Sequence, residues 1–144
     1  MSLESDRLVT GKEPARVLVI EDDQGSMELV VAVLEQIGQG VIGARSAEEA
    51  ASLLRDFRPA LMIVDVRLPG LDGLTLTRQL KADPRTASIP VLALTAHASL
   101  ADRDAALEAG CVAWMTKPLD TRLLARTLFG LLDQKSVSAS STLG

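Results

Sequence analysis

The stretch 61-LMIVDVRLPGLDG-73 decides how this chain is read. Leu61, Met62, Ile63 and Val64 form an unbroken apolar run, as expected of a strand buried on both faces, and it ends directly in Asp65. Pro69, Gly70 and Gly73 then supply turn chemistry. A carboxylate at the tip of a buried strand is either a turn former or a reactive group, and the rest of the chain has to separate the two.

Outward from this stretch, the same unit recurs. Residues 17–20 are a short β-branched run, and Met27, Val30, Val31, Leu34 and Ile37 follow at helical spacing up to Gly38. A weaker strand at 41–44 precedes Ser46 and Glu49, which are spaced as a capping box, and Ala50, Leu53, Leu54 and Phe57 continue that helix. Beyond 61–64, Leu74, Leu76 and Leu80 mark a third helix that stops near Asp83 and Pro84. Pro90 precedes a fourth strand at 91–94, and a fourth helix runs from about 100 to 109 with Gly110 as its stop. A fifth strand covers 112–115 and a last helix 120–133.

Five strand–helix units in strict alternation imply an α/β, doubly wound, single-domain fold. Its strands are parallel, its crossovers right-handed, and helices cover both faces. Residues 1–14 read as a flexible N-terminal tail closed by Pro14. The Ser-rich residues 135–144 read as a flexible C-terminal tail or linker stub, leaving 15–134 as the domain.

Bulk properties narrow the function. With 144 residues, 47% of them hydrophobic, the chain can build one core without disulfides. The net charge of -4 weighs against a general nucleic-acid binder. Cys111, the single cysteine, suits a reducing compartment. No apolar run approaches the roughly 18 residues of a membrane span, and the first residues lack the basic start and apolar segment of a signal peptide. The expected location is the cytoplasm.

Function turns on what stands at the strand ends. Glu21, Asp22 and Asp23 follow the first strand, Asp65 the third, Thr95 the fourth, and Thr116, Lys117 and Pro118 the fifth. In an open parallel sheet these positions share one edge, where ligands of such folds bind. Crowded carboxylates repel unless a cation intervenes, and Mg²⁺ is bound by one or two carboxylates while leaving room for a phosphate oxygen. Lys117 is a point charge for a phosphoryl oxygen, Thr95 a hydroxyl donor, and an Asp carboxylate can attack phosphorus to form an aspartyl phosphate. Taken singly, Asp65 is best read as a cap, the acidic run as a solvated loop, Thr95 as a turn hydroxyl and Lys117 as a loop residue. Their common edge is what those separate readings leave unexplained.

Here the sequence resembles the receiver domain of bacterial two-component response regulators. The matching pieces are 17-VLVIEDD-23, 61-LMIVDVRLPGLDG-73, 91-VLALTA-96 and 109-AGCVAWMTKP-118. The resemblance implies a flavodoxin-like (βα)5 sheet of strand order 2-1-3-4-5. It implies that Asp65 is the phosphoryl acceptor, with Glu21, Asp22, Asp65 and the backbone carbonyl of Arg67 holding Mg²⁺ or Mn²⁺. Lys117 would contact the phosphoryl group, and Thr95 would be the switch hydroxyl, paired with Trp114 where the family usually has Tyr or Phe. Lys117–Pro118 is expected to be cis. Arg67 and His97, two residues after Asp65 and Thr95, are expected to influence how long the acyl phosphate survives.

The function so implied is a signalling switch that catalyses its own phosphorylation and slow dephosphorylation rather than an enzyme proper. Its phosphodonor would be a sensor histidine kinase or a histidine phosphotransfer protein. Its target would dock on the face of the fourth and fifth units, without direct nucleic-acid or membrane binding, and the protein would be a monomer or a weak phosphorylation-dependent dimer. An aspartyl phosphatase would want a second Asp at the position of Arg67, and a nucleotide or flavin binder would want a Gly-rich loop where Glu21, Asp22 and Asp23 stand. The short C-terminal segment leaves either a stand-alone receiver or one excised from a longer chain. Cys111 is expected to be a small buried hydrophobe.

Overall fold

The runs that read as buried strands are buried. Residues 17–20, 61–64 and 91–94 are each at most 2% exposed. The computed structural model describes residues 9–10, 15–97 and 99–141, with side chains described over 16–97 and 99–132. In chain order the elements are β1 (Val9–Thr10), β2 (Ala15–Ile20), α1 (Gln24–Gln36), β3 (Gly40–Ala44), α2 (Ala47–Leu53), β4 (Leu61–Asp65), α3 (Gly73–Ala82), β5 (Val91–Thr95), α4 (Leu100–Ala109), β6 (Ala113–Thr116) and α5 (Thr121–Ser141).

The sheet order is β1-β3-β2-β4-β5-β6, and β3, β2, β4, β5 and β6 are mutually parallel. Counted without the short first strand, this is the expected order 2-1-3-4-5. Period-two alternation splits the core. Val17, Val19, Leu61, Ile63, Leu92, Leu94 and Met115 pack with α1 and α5, whereas Leu18, Ile20, Met62, Val64, Val91 and Ala93 pack with α2, α3 and α4. Helices therefore cover both faces.

Helix starts follow capping chemistry. Asp23, Ser46, Asp72 and Ser99 are the N-caps of α1, α2, α3 and α4, each accepting a hydrogen bond from a backbone N–H three residues on. Gly110 ends α4 at φ +111°, a left-handed conformation that glycine adopts without strain. Lys117–Pro118 is cis, as expected.

The chain differs from expectation at both ends. Val9–Thr10 pairs antiparallel with β3, Val9 opposite Ile42 and Thr10 opposite Val41, so part of the expected tail is a sixth strand. Residues 1–8 and 11–14 of that tail lie outside the described residues. At the other end α5 continues through Ser141 into the segment expected to be a tail or linker, and 142–144 lie outside the described residues. No Gly or Pro interrupts 131–141, and once a helix is nucleated each further residue adds a bond at little cost. Helix α2 stops at Leu53, short of the expected Phe57, and the Arg58 guanidinium donates to the Leu54 carbonyl just past its end. No described helix is long and apolar enough to cross a membrane.

Candidate functional site

The carboxyl ends of β2, β4 and β6 bring three charged side chains into contact. Glu21 follows β2 and is anchored by its backbone N–H to the Ala44 carbonyl at 2.9 Å. Asp65 is the last residue of β4, and Lys117 follows β6 with its N–H donating to the Thr95 carbonyl at 2.7 Å. Lys117 Nζ donates to Glu21 Oε1 at 2.7 Å and to Asp65 Oδ2 at 2.9 Å. By alternation Glu21, Asp65 and Lys117 continue the rows of Val19, Ile63 and Met115, so all three lean to the α1–α5 side.

Burial makes this contact chemically tense. Glu21 is 1% exposed and Asp65 6%. Burial, followed by the hydrogen bond with the neighbouring Asp65, pushes the Glu21 carboxyl up to about 7, against the opposing pull of Lys117. Burial disfavours the Lys117 ammonium, yet its bonds to the two carboxylates prevail and its pKa rises. The remaining acceptors are also engaged. Glu21 Oε2 accepts from the Asp23 N–H at 3.2 Å, and Asp65 Oδ1 accepts from the Arg67 N–H at 2.8 Å.

Asp22 is exposed beside this pair, and one oxygen each of Glu21, Asp22 and Asp65 lie within 4.8 Å of one another. An all-oxygen carboxylate set with an open side suits a hard divalent cation such as Mg²⁺. A buried glutamate whose proton is held up to about neutrality gains from having that proton replaced by a metal. The donor set therefore fits the expected ion. Arg67 lies in the turn after Asp65, its N–H directed to the Asp65 carboxylate.

Thr95 and Trp114 lie on the other row. Trp114 is half-buried against the α2–α3–α4 core and sits opposite Ala93 in the sheet, as Thr116 does opposite Thr95. The Thr95 hydroxyl, 5% exposed, accepts from the His97 N–H at 3.1 Å and donates to the His97 carbonyl at 3.2 Å. It is thus held by its own turn, not by Asp65. The exposed Arg67 and His97 side chains meet each other, guanidinium to imidazole Nε2. Asp23, the third carboxylate after the strand, caps α1 by accepting from the Ser26 N–H at 2.8 Å. Cys111 is buried, and burial raises its thiol pKa.

Gly73, expected only to supply turn chemistry, stands closer to the site than that. A Cβ placed on Gly73 would lie 2.1 Å from the Asp65 carbonyl oxygen, and the Gly73 N–H donates to the Val66 carbonyl at 2.9 Å. The turn 65–73 thus folds back on the strand end, and only a residue without a side chain fits. The available signal was a glycine directly after the capping Asp72.

This assembly matches a known family. Residues 17–129 match the model of the response regulator receiver domain. The chain belongs to that family. The receiver is 35% identical over 115 residues to the polar-differentiation response regulator DivK of Brucella anthropi, covering 80% of this chain and 94% of that protein. Among solved structures it resembles the signal receiver domain of a signal transduction histidine kinase from Syntrophus aciditrophicus (34% identity, TM-score 0.77, covering 84% of this chain and 92% of that one). It also resembles the receiver domain of a sensor histidine kinase from Pseudomonas aeruginosa PAO1, which has a magnesium ion coordinated in its active-site cleft (29% identity, TM-score 0.75, covering 83% of this chain and 99% of that one). The receiver is accordingly a component of two-component signalling, a system in which such domains work with histidine kinases and downstream targets.

Proposed function

We propose that this receiver takes a phosphoryl group from a phosphohistidine onto Asp65. The observation that carries the reading is Lys117 Nζ bridging Glu21 and Asp65 beside the exposed Asp22. An Asp65 carboxylate oxygen attacks phosphorus, the P–N bond to the donor histidine breaks, and the imidazole leaves with the electron pair. Glu21, Asp22, Asp65 and the Arg67 carbonyl would hold Mg²⁺, which when bound offsets the charge of the carboxylates and of the phosphoryl oxygens. Lys117, already at Asp65, shifts its donors to a phosphoryl oxygen.

Thr95 then trades its bonds to the His97 backbone for one to the phosphoryl group, and Trp114 repacks on the same row of the sheet. That rearrangement alters the surface of α4, β6 and α5, where a target docks. Leu100, Leu107 and Val112 are exposed there at 72%, 42% and 52%, an apolar complement for a protein partner. The Arg67–His97 contact lies over the entrance used by an attacking water and slows hydrolysis of the acyl phosphate. The donor is a sensor histidine kinase or a histidine phosphotransfer protein in the cytoplasm, and the receiver acts as a monomer or as a weak dimer when phosphorylated.

Incubation with phosphoramidate or acetyl phosphate and Mg²⁺, followed by intact-mass measurement, tests the reading. The expected result is a gain of one phosphoryl group that disappears in Asp65→Ala and in EDTA. Steady turnover of phosphate esters would instead identify a phosphatase.

A further inference from the structure

The opposite edge of the sheet carries a second concentration of charge. At the amino-terminal ends of β2, β4 and β5 the surface opens into a cleft of about 420 Å³ whose walls carry Arg16, Arg58 and Arg85. Pro59, Ala60 and Ile89 form its apolar part, with Pro59 and Ile89 buried. No carboxylate lines it among the described residues, although the chain's net charge is -4.

The Ala60 N–H donates to the Arg16 carbonyl at 2.6 Å and ties two walls together. Arg58 Nη1 donates to the Leu54 carbonyl and, at 3.0 Å, to the Phe57 carbonyl, and among the described residues its Nε and Nη2 donors have no partner. Arg85 pairs with Asp83 through Nε at 3.3 Å and Nη2 at 3.0 Å and keeps Nη1. The Arg16 guanidinium has no protein partner among the described residues. Three arginines with spare donors line the cleft, Arg85 already sharing its charge with Asp83, and guanidinium forks of this kind match the oxygens of linked phosphates.

We propose that this cleft binds a small molecule of the nucleoside diphosphate class, with its pyrophosphoryl group among Arg16, Arg58 and Arg85 and its ring against Pro59 and Ile89. The cavity is of the size that small-molecule sites occupy, and its lining combines apolar Pro59, Ala60 and Ile89 with the three arginines. The cleft does not share groups with the acidic edge. Strand β4 joins Ala60 to Asp65 over a rise of about 17 Å, beyond the screening length of about 8 Å at physiological salt. Binding here is therefore independent of the phosphoryl site and of the reading given to it.

The test is titration of the full chain with ADP and with inorganic pyrophosphate in EDTA, read by calorimetry and by amide chemical shifts. EDTA removes metal-bridged phosphate binding at Glu21, Asp22 and Asp65. The expected result is one saturable site with shifts centred on Arg16, Ala60, Ser88 and Ile89. ADP should bind more tightly than pyrophosphate, and Arg16→Glu should weaken both by at least about tenfold. Arg58→Ala also removes bonds to the Leu54 and Phe57 carbonyls, so the exposed Arg16→Glu and Arg85→Ala carry the test, with circular dichroism confirming their fold. Absence of saturation, affinity unchanged in Arg16→Glu, or shifts centred on Glu21 and Asp65 would overturn the site. Equal affinity for pyrophosphate and ADP would overturn its nucleoside part.

Discussion

Gly73 packs its Cα against the carbonyl of Asp65, so closely that a single added methyl would stand 2.1 Å from that oxygen. The obstructing atoms are backbone at the end of a central strand and cannot swing aside. Gly73→Ala is expected to destabilise the fold by about 1–3 kcal/mol, the range of overpacking in a closed core. It should also lower phosphoryl uptake by displacing Asp65. Chemical denaturation and a phosphoramidate time course check both. Wild-type stability together with wild-type uptake would mean that the turn 65–73 yields freely.

Lys117→Met keeps much of the side chain's bulk and deletes the ammonium that lies 2.7 Å from Glu21 and 2.9 Å from Asp65. Loss of one preorganised donor to a developing phosphoryl charge costs roughly 100-fold or more in rate. Phosphorylation of this variant is expected to slow by that order while Mg²⁺ still binds. Stopped-flow phosphorylation and metal titration of the same sample separate the two effects.

Glu21 gives the receiver a pH dependence whose sign is fixed. Its carboxyl is raised in the folded chain from 4.5 to about 7, so the folded state binds the extra proton between those values. That contribution to stability is complete below about 4.5 and is lost as pH rises through about 7, with an upper bound of about 3 kcal/mol. Mg²⁺ requires the ionised group, so metal affinity should rise with pH up to about 7 and level off above it. Calorimetry across pH 5.5 to 8.5 measures this, and Glu21→Gln should flatten the profile.

The Arg67 and His97 side chains meet each other, and in the proposed function this contact restrains water at the acyl phosphate. Arg67→Ala and His97→Ala are each expected to shorten the acyl-phosphate lifetime several-fold without altering the fold. Decay of the phosphorylated mass after removal of phosphodonor gives the rate. Lifetimes equal to wild type in both variants would remove these residues from control of the signal.

Trp114, the single tryptophan, reports on its own row of the sheet. Its fluorescence is expected to change on addition of Mg²⁺ and phosphoramidate in wild type and to stay constant in Asp65→Ala. A signal indifferent to both additions in wild type would mean that Trp114 is ordinary core filling.

The convergence of Glu21, Asp65 and Lys117 was legible because continuous apolar runs ending in polar residues force those residues to one edge of a parallel sheet. Helix α4 was legible from end to end because Gly110 stops it, and its Ser99 cap follows the same chemistry as the other N-caps. Other features lacked a local signal. Two residues, Val9 and Thr10, carry no periodicity, and their pairing depends on the open edge of β3. The Ser-rich end of α5 has linker composition, yet it follows a helix that nothing stops. The Arg67–His97 contact, between residues 30 apart in sequence, is a tertiary fact invisible to spacing alone.

The strand Val9–Thr10 has a consequence for association. An unpaired sheet edge is a template for another chain, and this chain occupies one of its two edges with its own backbone. The two edge strands are thus the two-residue β1 and the four-residue β6, which carries Trp114 and leads into Lys117. Among the described residues, the longer flank for backbone pairing with a second molecule is therefore β6, the strand that leads into Lys117.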